Sequence, residues 1–228
     1  MFCNQCEQTA QGTGCTKIGV CGKRPDVAAL QDLLTYAVRG LSRYATAGRK
    51  VGVVDAEVNR FTAQAVFSTL TNVDFDPSRF QDLIGEAVKL REALKARVAA
   101  AGGNVQFSDA DARFQPAADL QGLVKQGEDV RLPIDWDADP DIQSLQETTL
   151  YGIRGAAAYA DHAAILGHED DAVYSFIHET PAKLTDKSLE ELWSNKRMRN
   201  KMAGSTLVGD HLYGFDEAMF VCLDLNGE

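Results

Sequence analysis

Cys3, Cys6, Cys15 and Cys21 form a C-x2-C-x8-C-x5-C array within the first twenty-one residues, and the fifth cysteine, Cys222, stands far from them. Thiolate sulfur is a soft ligand that suits an iron–sulfur cluster or tetrahedral zinc, and a two-residue gap lets one tight turn supply two corners of the cage. Gly12, Gly14, Gly19 and Gly22 lie among and just after the later cysteines. Backbone without Cβ can wrap closely there and direct amide groups toward sulfur. Over residues 1–25, Lys17, Lys23 and Arg24 outnumber the single acid Glu7, although the chain as a whole carries a net charge of −10. That local balance favours an anionic thiolate-ligated centre.

Disulfide pairing is the weaker reading of these cysteines. Met1-Phe2-Cys3 leaves no room for a charged and then apolar leader, so a reducing, cytoplasmic compartment is expected, and five is an odd number to pair. Structural zinc is the stronger competitor, but zinc modules usually join two short-gapped knuckles, whereas the second pair here is five residues apart. The spacing favours iron–sulfur and leaves a zinc-stabilised helical scaffold standing as an alternative.

The elements that must position this loop are helical. Val27, Leu30, Leu34, Ala37, Val38, Leu41 and Ala45 recur with the i, i+3, i+4, i+7 spacing of one buried stripe, and Asp26 is placed to cap its start. At a constant offset of 115, Leu30, Gln31, Tyr36, Arg39, Gly40, Tyr44 and Ala45 return as Leu145, Gln146, Tyr151, Arg154, Gly155, Tyr159 and Ala160. This points to a repeated helical unit, with matched packing and hydrogen bonding as the ordinary role of the repeated Tyr and Arg pairs. The second stripe, Ile142, Leu145, Gly152, Ile153, Ala156 and Ala160, has smaller residues, so closer approach of its neighbours is expected.

Two more helices follow each leading one. In the first copy they span 56–71 and Asp76-Pro77 through about Ala101, where Gly102-Gly103 stops the chain. In the second, Asp139-Pro140 opens the leading helix, 170–179 is a short second one, and Ser188 with Glu191 forms a capping box for a third through about Met202. The expected fold is therefore all-α, two three-helix bundles related by an internal repeat, with an N-terminal four-cysteine cluster loop. Its divisions are the loop 1–25, a first bundle 26–102, a crossover 103–140 with one short helix near 117–126, a second bundle 141–203 and a tail 204–228. Gly204, Gly209 and Gly214 interrupt any helix in the tail, and no alternation persists long enough to found a sheet.

Composition and the remaining motifs narrow the function. With 228 residues, 45% hydrophobic and 8% aromatic, the chain can bury a sizeable core, and no run approaches the ~20 apolar residues of a membrane span. A pI near 4.9 argues against nucleic acid and anionic membrane as partners. The basic run Lys196 to Lys201 reads as a solvated helix end, with docking of an acidic electron donor as its sharper meaning. Asp135 to Asp139 imitates a calcium loop but has Pro140 and Gln146 where glycine and glutamate belong. Gly22-Lys23 lacks the earlier glycine of a phosphate loop. His162, His168 and His178 have no i, i+4 histidine partner and no nearby cysteine, so solvent-facing or hydrogen-bonded structural histidines are expected.

The opening Met1-Phe2-Cys3-Asn4-Gln5-Cys6-Glu7-Gln8-Thr9, with Gly14-Cys15 and Gly19-Val20-Cys21-Gly22-Lys23, resembles the N-terminus of the hybrid-cluster proteins, the hydroxylamine reductase or prismane family. The resemblance continues in order through Leu30 to Leu34, Arg39-Gly40-Leu41, Phe67 to Asp76, Gly155 to Tyr159, His162 and Leu166-Gly167, and covers about residues 1–190. It implies a [4Fe–4S] cluster on Cys3, Cys6, Cys15 and Cys21 that relays electrons. It also implies a parent activity that reduces hydroxylamine to ammonia, with nitric oxide as a further physiological substrate. The family's second, mixed iron–sulfur–oxygen cluster draws its ligands from a carboxy-terminal part, so that hybrid cluster is not expected in this chain alone. Val208-Gly209-Asp210-His211-Leu212 only scrambles the family's ligand motif, and no catalytic role is carried onto His211 or Cys222. The implied partners are a redox protein supplying electrons and the catalytic half of the family. A stand-alone electron carrier or redox-sensing module without turnover is the alternative of a different class.

Overall fold

The computed structural model describes residues 1–6, 13–130, 140–183, 206–208, 211–216 and 219–224. The chain divides into two compact units, Met1–Thr185 and Asp186–Glu228. The first contains six α-helices among its described residues: α1 (Pro25–Arg49), α2 (Ala56–Ser68), α3 (Pro77–Ala100), α4 (Leu120–Asp129), α5 (Pro140–Ile165) and α6 (Asp171–Lys183), with a short 3-10 turn at Asp111–Arg113. None of the described helices is long and apolar enough to cross a membrane.

α1 is the axis of this unit. It packs against α2, α3, α4 and α6, and its buried residues are not one stripe but most of its circumference, with Gln31, Thr35, Arg39 and Ser42 buried alongside Leu30, Leu33, Leu34 and Leu41. A helix enclosed on all sides must let neighbouring backbones come close, and two glycines allow it. A Cβ on Gly40 would lie 2.1 Å from the Asp111 carbonyl oxygen, and one on Gly127 of α4 would lie 2.1 Å from the Ala29 carbonyl oxygen. The start of α1 differs from expectation by one residue. Arg24 is the N-cap and Pro25 the first helical residue, so Asp26 lies inside the first turn, where its carboxylate accepts the Val27 amide at 2.9 Å and pairs with Arg24.

The other boundaries follow local chemistry. Asp55 caps α2 by accepting the amides of Glu57 and Val58, and Asp76 caps α3 by accepting that of Ser78 ahead of Pro77. α3 ends where Gly102 takes a φ of 78°. The short helix of the crossover lies at 120–129, a few residues later than expected, because Asp119 supplies its cap.

One core runs through both halves of the first unit: Leu30, Leu34, Phe80, Ile84, Leu123, Ile153, Ala157 and Ile177 belong to a single buried cluster. α5 buries Leu150, Ile153, Ala157 and Ala160, so the expected stripe is corrected. Gly152 is exposed, and nothing lies within 4 Å of a Cβ at Gly152 or Gly155. Close approach occurs instead at Gly40 of α1. The repeat pairs divide likewise. Arg39 and Arg154 are both buried, but Tyr44 is enclosed while Tyr159 is 80% exposed, so matched packing does not extend to the tyrosines.

The second unit corrects the expectation that no sheet forms. β1 (Thr206–Val208), β2 (His211–Asp216) and β3 (Met219–Asp224) make a three-stranded antiparallel sheet in sequence order. Val208 pairs with His211 and Tyr213 with Cys222. Of the segment that looked like a scrambled ligand motif, Val208, His211 and Leu212 are strand residues. The expected third helix of the second copy, the basic run at 196–201 and the Asp135 to Asp139 segment lie outside the described residues.

Candidate metal centre

The first strand-like contact of the chain is made by two of the cysteines. Cys3 and Cys15 form an isolated antiparallel bridge: the Phe2 amide donates to the Cys15 carbonyl and the Cys15 amide to the Cys3 carbonyl, both at 2.8 Å. Gly14, beside this bridge, has a φ of 106°, and a Cβ there would strike Met1 Sδ. Further along, the Gly19 amide donates to the Lys23 carbonyl and the Gly22 amide to the Gly19 carbonyl. These two amides therefore close a turn and are not aimed at sulfur as expected. Cys3, Cys6, Cys15 and Cys21 are all free thiols, with Cys15 buried and the others half-buried.

Three inter-element contacts hold the loop. Lys23, 1% exposed, donates from Nζ to Gln31 Oε1 at 2.6 Å and lies 4.0 Å from Cys3 Sγ. Gln31 Nε2 in turn donates to the Asp74 carbonyl at 3.1 Å. Thr71 donates to Gln5 Oε1 at 3.2 Å, and Asn4 Nδ2 donates to Glu147 of α5. Beside them the Arg154 guanidinium, 4% exposed, donates from Nε to Thr69 Oγ1 at 2.9 Å. The segment Thr69 to Asp74 and the α5 residues Glu147 and Arg154 thus lie beside the cysteine loop. Sequence reasoning assigned no site role to Gln31, Glu147 or Arg154. The sign that could have found two of them was the repeat, which singled out Gln31 and Arg154 but also marked packing residues.

Cys3, Lys23, Asp32, Glu147 and Arg154 line one cavity of about 330 Å³, together with Asn4 and Gln31. Its electrostatics are set by burial. Desolvation pushes the Cys3 thiol up, opposed by the Lys23 ammonium, and pushes Lys23 down, opposed by the Cys3 sulfur. Burial also lowers Arg154, against the attraction of Asp32 and Cys3, and raises Glu147, against the Asn4 hydrogen bond and Arg154. Burial prevails at both groups, holding the Cys3 thiol up and Lys23 down, and the Lys23 ammonium beside the sulfur opposes the first of these shifts. Four free thiols with Lys23 and Arg154 beside them are a donor set whose chemistry suits a thiolate-ligated centre. Among the described residues, no three His, Cys, Asp or Glu side chains stand as a metal-holding group, and residues 7–12 between Cys6 and Cys15 lie outside the description.

The histidines have structural surroundings. His178 is fully buried between Ser42 Oγ at 3.2 Å and Asn59 Oδ1 at 3.1 Å. His162 meets the Phe67 ring edge-on, and His168 is exposed. His211 pairs with Val208 and Asp224 in the sheet, and Cys222 is likewise a strand residue.

The sequence matches the Prismane/CO dehydrogenase family over residues 1–218. It is 60% identical over 190 residues to a hydroxylamine reductase from Syntrophobacter fumaroxidans, a match covering 83% of this chain and 35% of the relative. A hydroxylamine reductase from Methanocella arvoryzae is 55% identical over 190 residues, with the same shares covered. One from Trichormus variabilis is 46% identical over 195 residues, 84% of this chain and 36% of the relative. The chain spans about a third of the length of the curated relatives it matches. Matched along nearly its whole length, the chain belongs to the Prismane/CO dehydrogenase family.

Proposed function

We propose that this chain is the electron-entry part of a hydroxylamine reductase, with a [4Fe–4S] cluster held by Cys3, Cys6, Cys15 and Cys21. The observation that carries the reading is the cysteine loop itself. Four free thiols occur within twenty-one residues, two of them joined by a backbone bridge, beside the buried cations Lys23 and Arg154. Identity of up to 60% to hydroxylamine reductases supports it. The expected repeat belongs to the same proposal: α1 and α5 are its two leading helices, and each carries a buried arginine at the matching position, Arg39 or Arg154.

When bound, such a cluster supplies one-electron transfer. The protein's own residues give the loop its shape. The Cys3 and Cys15 bridge fixes the spacing of two ligands, and Gln31 holds the Lys23 ammonium toward Cys3. Asn4 and Gln5 tie the first turn to α5 and to the segment after α2. Reduction of hydroxylamine, NH2OH + 2 e− + 2 H+ → NH3 + H2O, takes two electrons and needs substrate on a metal with a vacant coordination position. Four cysteine thiolates on one cluster leave none. Turnover, on hydroxylamine or nitric oxide, is assigned to a second centre built by the part of the relatives beyond the aligned third, with a separate redox protein as donor and a reducing cytoplasm as setting.

The test is turnover by this chain after anaerobic loading. With excess chemical reductant and hydroxylamine, ammonia should form no faster than with an equal amount of free cluster, while the loaded chain takes up one electron. Sustained ammonia production that vanishes in Cys222→Ala contradicts the division of labour. Stoichiometric zinc without iron contradicts the electron-transfer reading altogether.

A further inference from the structure

We propose that Lys23, backed by Arg154, is a charge-compensating residue for the thiolate centre at Cys3, and that its fixed positive charge raises the reduction potential of the cluster bound there. The inference rests on the cluster reading above. A second carboxylate-bearing wall of the same cavity, formed by Asp32 and Glu147, opposes it, so the potential is set by a balance of named charges.

The geometry carries this assignment. Lys23 is 1% exposed and Arg154 is 4% exposed, and both line the cavity that Cys3 borders. Two like charges in one low-dielectric wall destabilise each other, while Asp32 and the Cys3 sulfur attract both of them. Among the described residues, Lys23 donates to Gln31 and Arg154 to Thr69, both neutral groups. The sulfur of Cys3, a group able to carry negative charge, lies 4.0 Å from Lys23 Nζ. Lys23 is held on that sulfur from two sides, by Gln31, itself tied to the Asp74 carbonyl, and by the Phe75 ring with Nζ 6.0 Å from its centroid. A side chain of this length seldom stays fully buried unless something it faces stabilises the charge. Adding an electron to a thiolate-ligated cluster adds negative charge, and a fixed cation at contact distance stabilises the reduced form more than the oxidised form.

The experiment is an equilibrium redox titration of the anaerobically loaded full chain, followed by cluster absorbance, at low and high salt. Lys23→Met is expected to shift the oxidised-to-reduced ratio at fixed poise at least tenfold toward oxidised, about 59 mV for one electron. Glu147→Gln, which keeps an acceptor for Asn4, is expected to shift it the opposite way, and Lys23→Arg to stay near wild type. Because these charges are buried, the differences should survive high salt. Opposite shifts with unchanged iron content support the inference. A loaded centre whose potential moves with neither Lys23→Met nor Glu147→Gln overturns it while leaving the cluster reading intact. If Lys23→Met fails to load, Glu147→Gln decides by itself, an upward shift supporting and no shift overturning. Absence of iron and sulfide in the loaded wild type overturns the cluster reading and this inference with it.

Discussion

Arg154 donates from Nε to Thr69 Oγ1 at 2.9 Å, and the Thr69 hydroxyl donates to the Val66 carbonyl at 2.7 Å. A buried guanidinium of α5 is thereby anchored to the residue that caps the C-terminus of α2, beside the cysteine loop. Thr69→Val keeps the shape and removes the acceptor, leaving a buried charged donor unsatisfied. The expected loss is about 2–3 kcal/mol, read as a lower denaturant midpoint, with Thr69→Ser close to wild type. Equal midpoints for the Val and Ser variants would show that the anchor contributes nothing.

Stability should also depend on acid through His178. Burial and the nearby Arg49 lower its pKa to about 3, with Asp171 acting in the other direction, while the unfolded chain keeps the ordinary value near 6.5. His178 meets Ser42 Oγ at Nδ1 and Asn59 Oδ1 at Nε2, and burial beside Arg49 disfavours a second ring proton in the folded state. The sign follows: the contribution is complete above pH ~6.5 and is lost as pH falls toward ~3, at up to about 1.4 kcal/mol per pH unit. Measured between pH 6.5 and 5, the slope should flatten in His178→Gln. An unchanged slope would place the acid sensitivity elsewhere.

Glycine substitutions on two helices should move stability in opposite directions. Gly40→Ala drives a Cβ to within 2.1 Å of the Asp111 carbonyl oxygen, where both sides are backbone and the carbonyl belongs to a turn held by Arg43 and Arg39. A loss of about 3 kcal/mol is expected. Gly85 sits exposed in the middle of α3 with nothing within 4 Å, so Gly85→Ala should raise the midpoint by about 1 kcal/mol. Thermal or denaturant unfolding of the two variants gives the comparison, and a stable Gly40→Ala would contradict the packing of α1.

What could be read from the sequence was what local chemistry decides. Asp76-Pro77 and Gly102 bounded α3 because caps and positive φ act within a turn of themselves. Asp26 misled because a proline at the first helical position leaves the cap to its predecessor, Arg24. The burial of Arg39 and Ser42 escaped a stripe analysis because α1 has neighbours on nearly every side, a property of tertiary packing. The strands were missed because glycines were weighed only as helix breakers, although Gly209-Asp210 between short apolar runs carries a hairpin pattern. In the candidate site, the cysteines were legible from spacing. The contact of Lys23 with Gln31 and that of Arg154 with Thr69 were not, since the second joins residues far apart in sequence and no periodicity encodes it.

The central claim is that Cys3, Cys6, Cys15 and Cys21 together hold one [4Fe–4S] cluster. Iron and acid-labile sulfide in anaerobically loaded protein, compared across single serine substitutions, test it most directly. Wild type and Cys222→Ser should each hold about four irons and four sulfides per chain. Cys3→Ser, Cys6→Ser, Cys15→Ser and Cys21→Ser should each lose most of both. Retention of the full cluster in Cys15→Ser together with its loss in Cys222→Ser, or about seven to eight irons in the wild-type chain, would contradict the assignment.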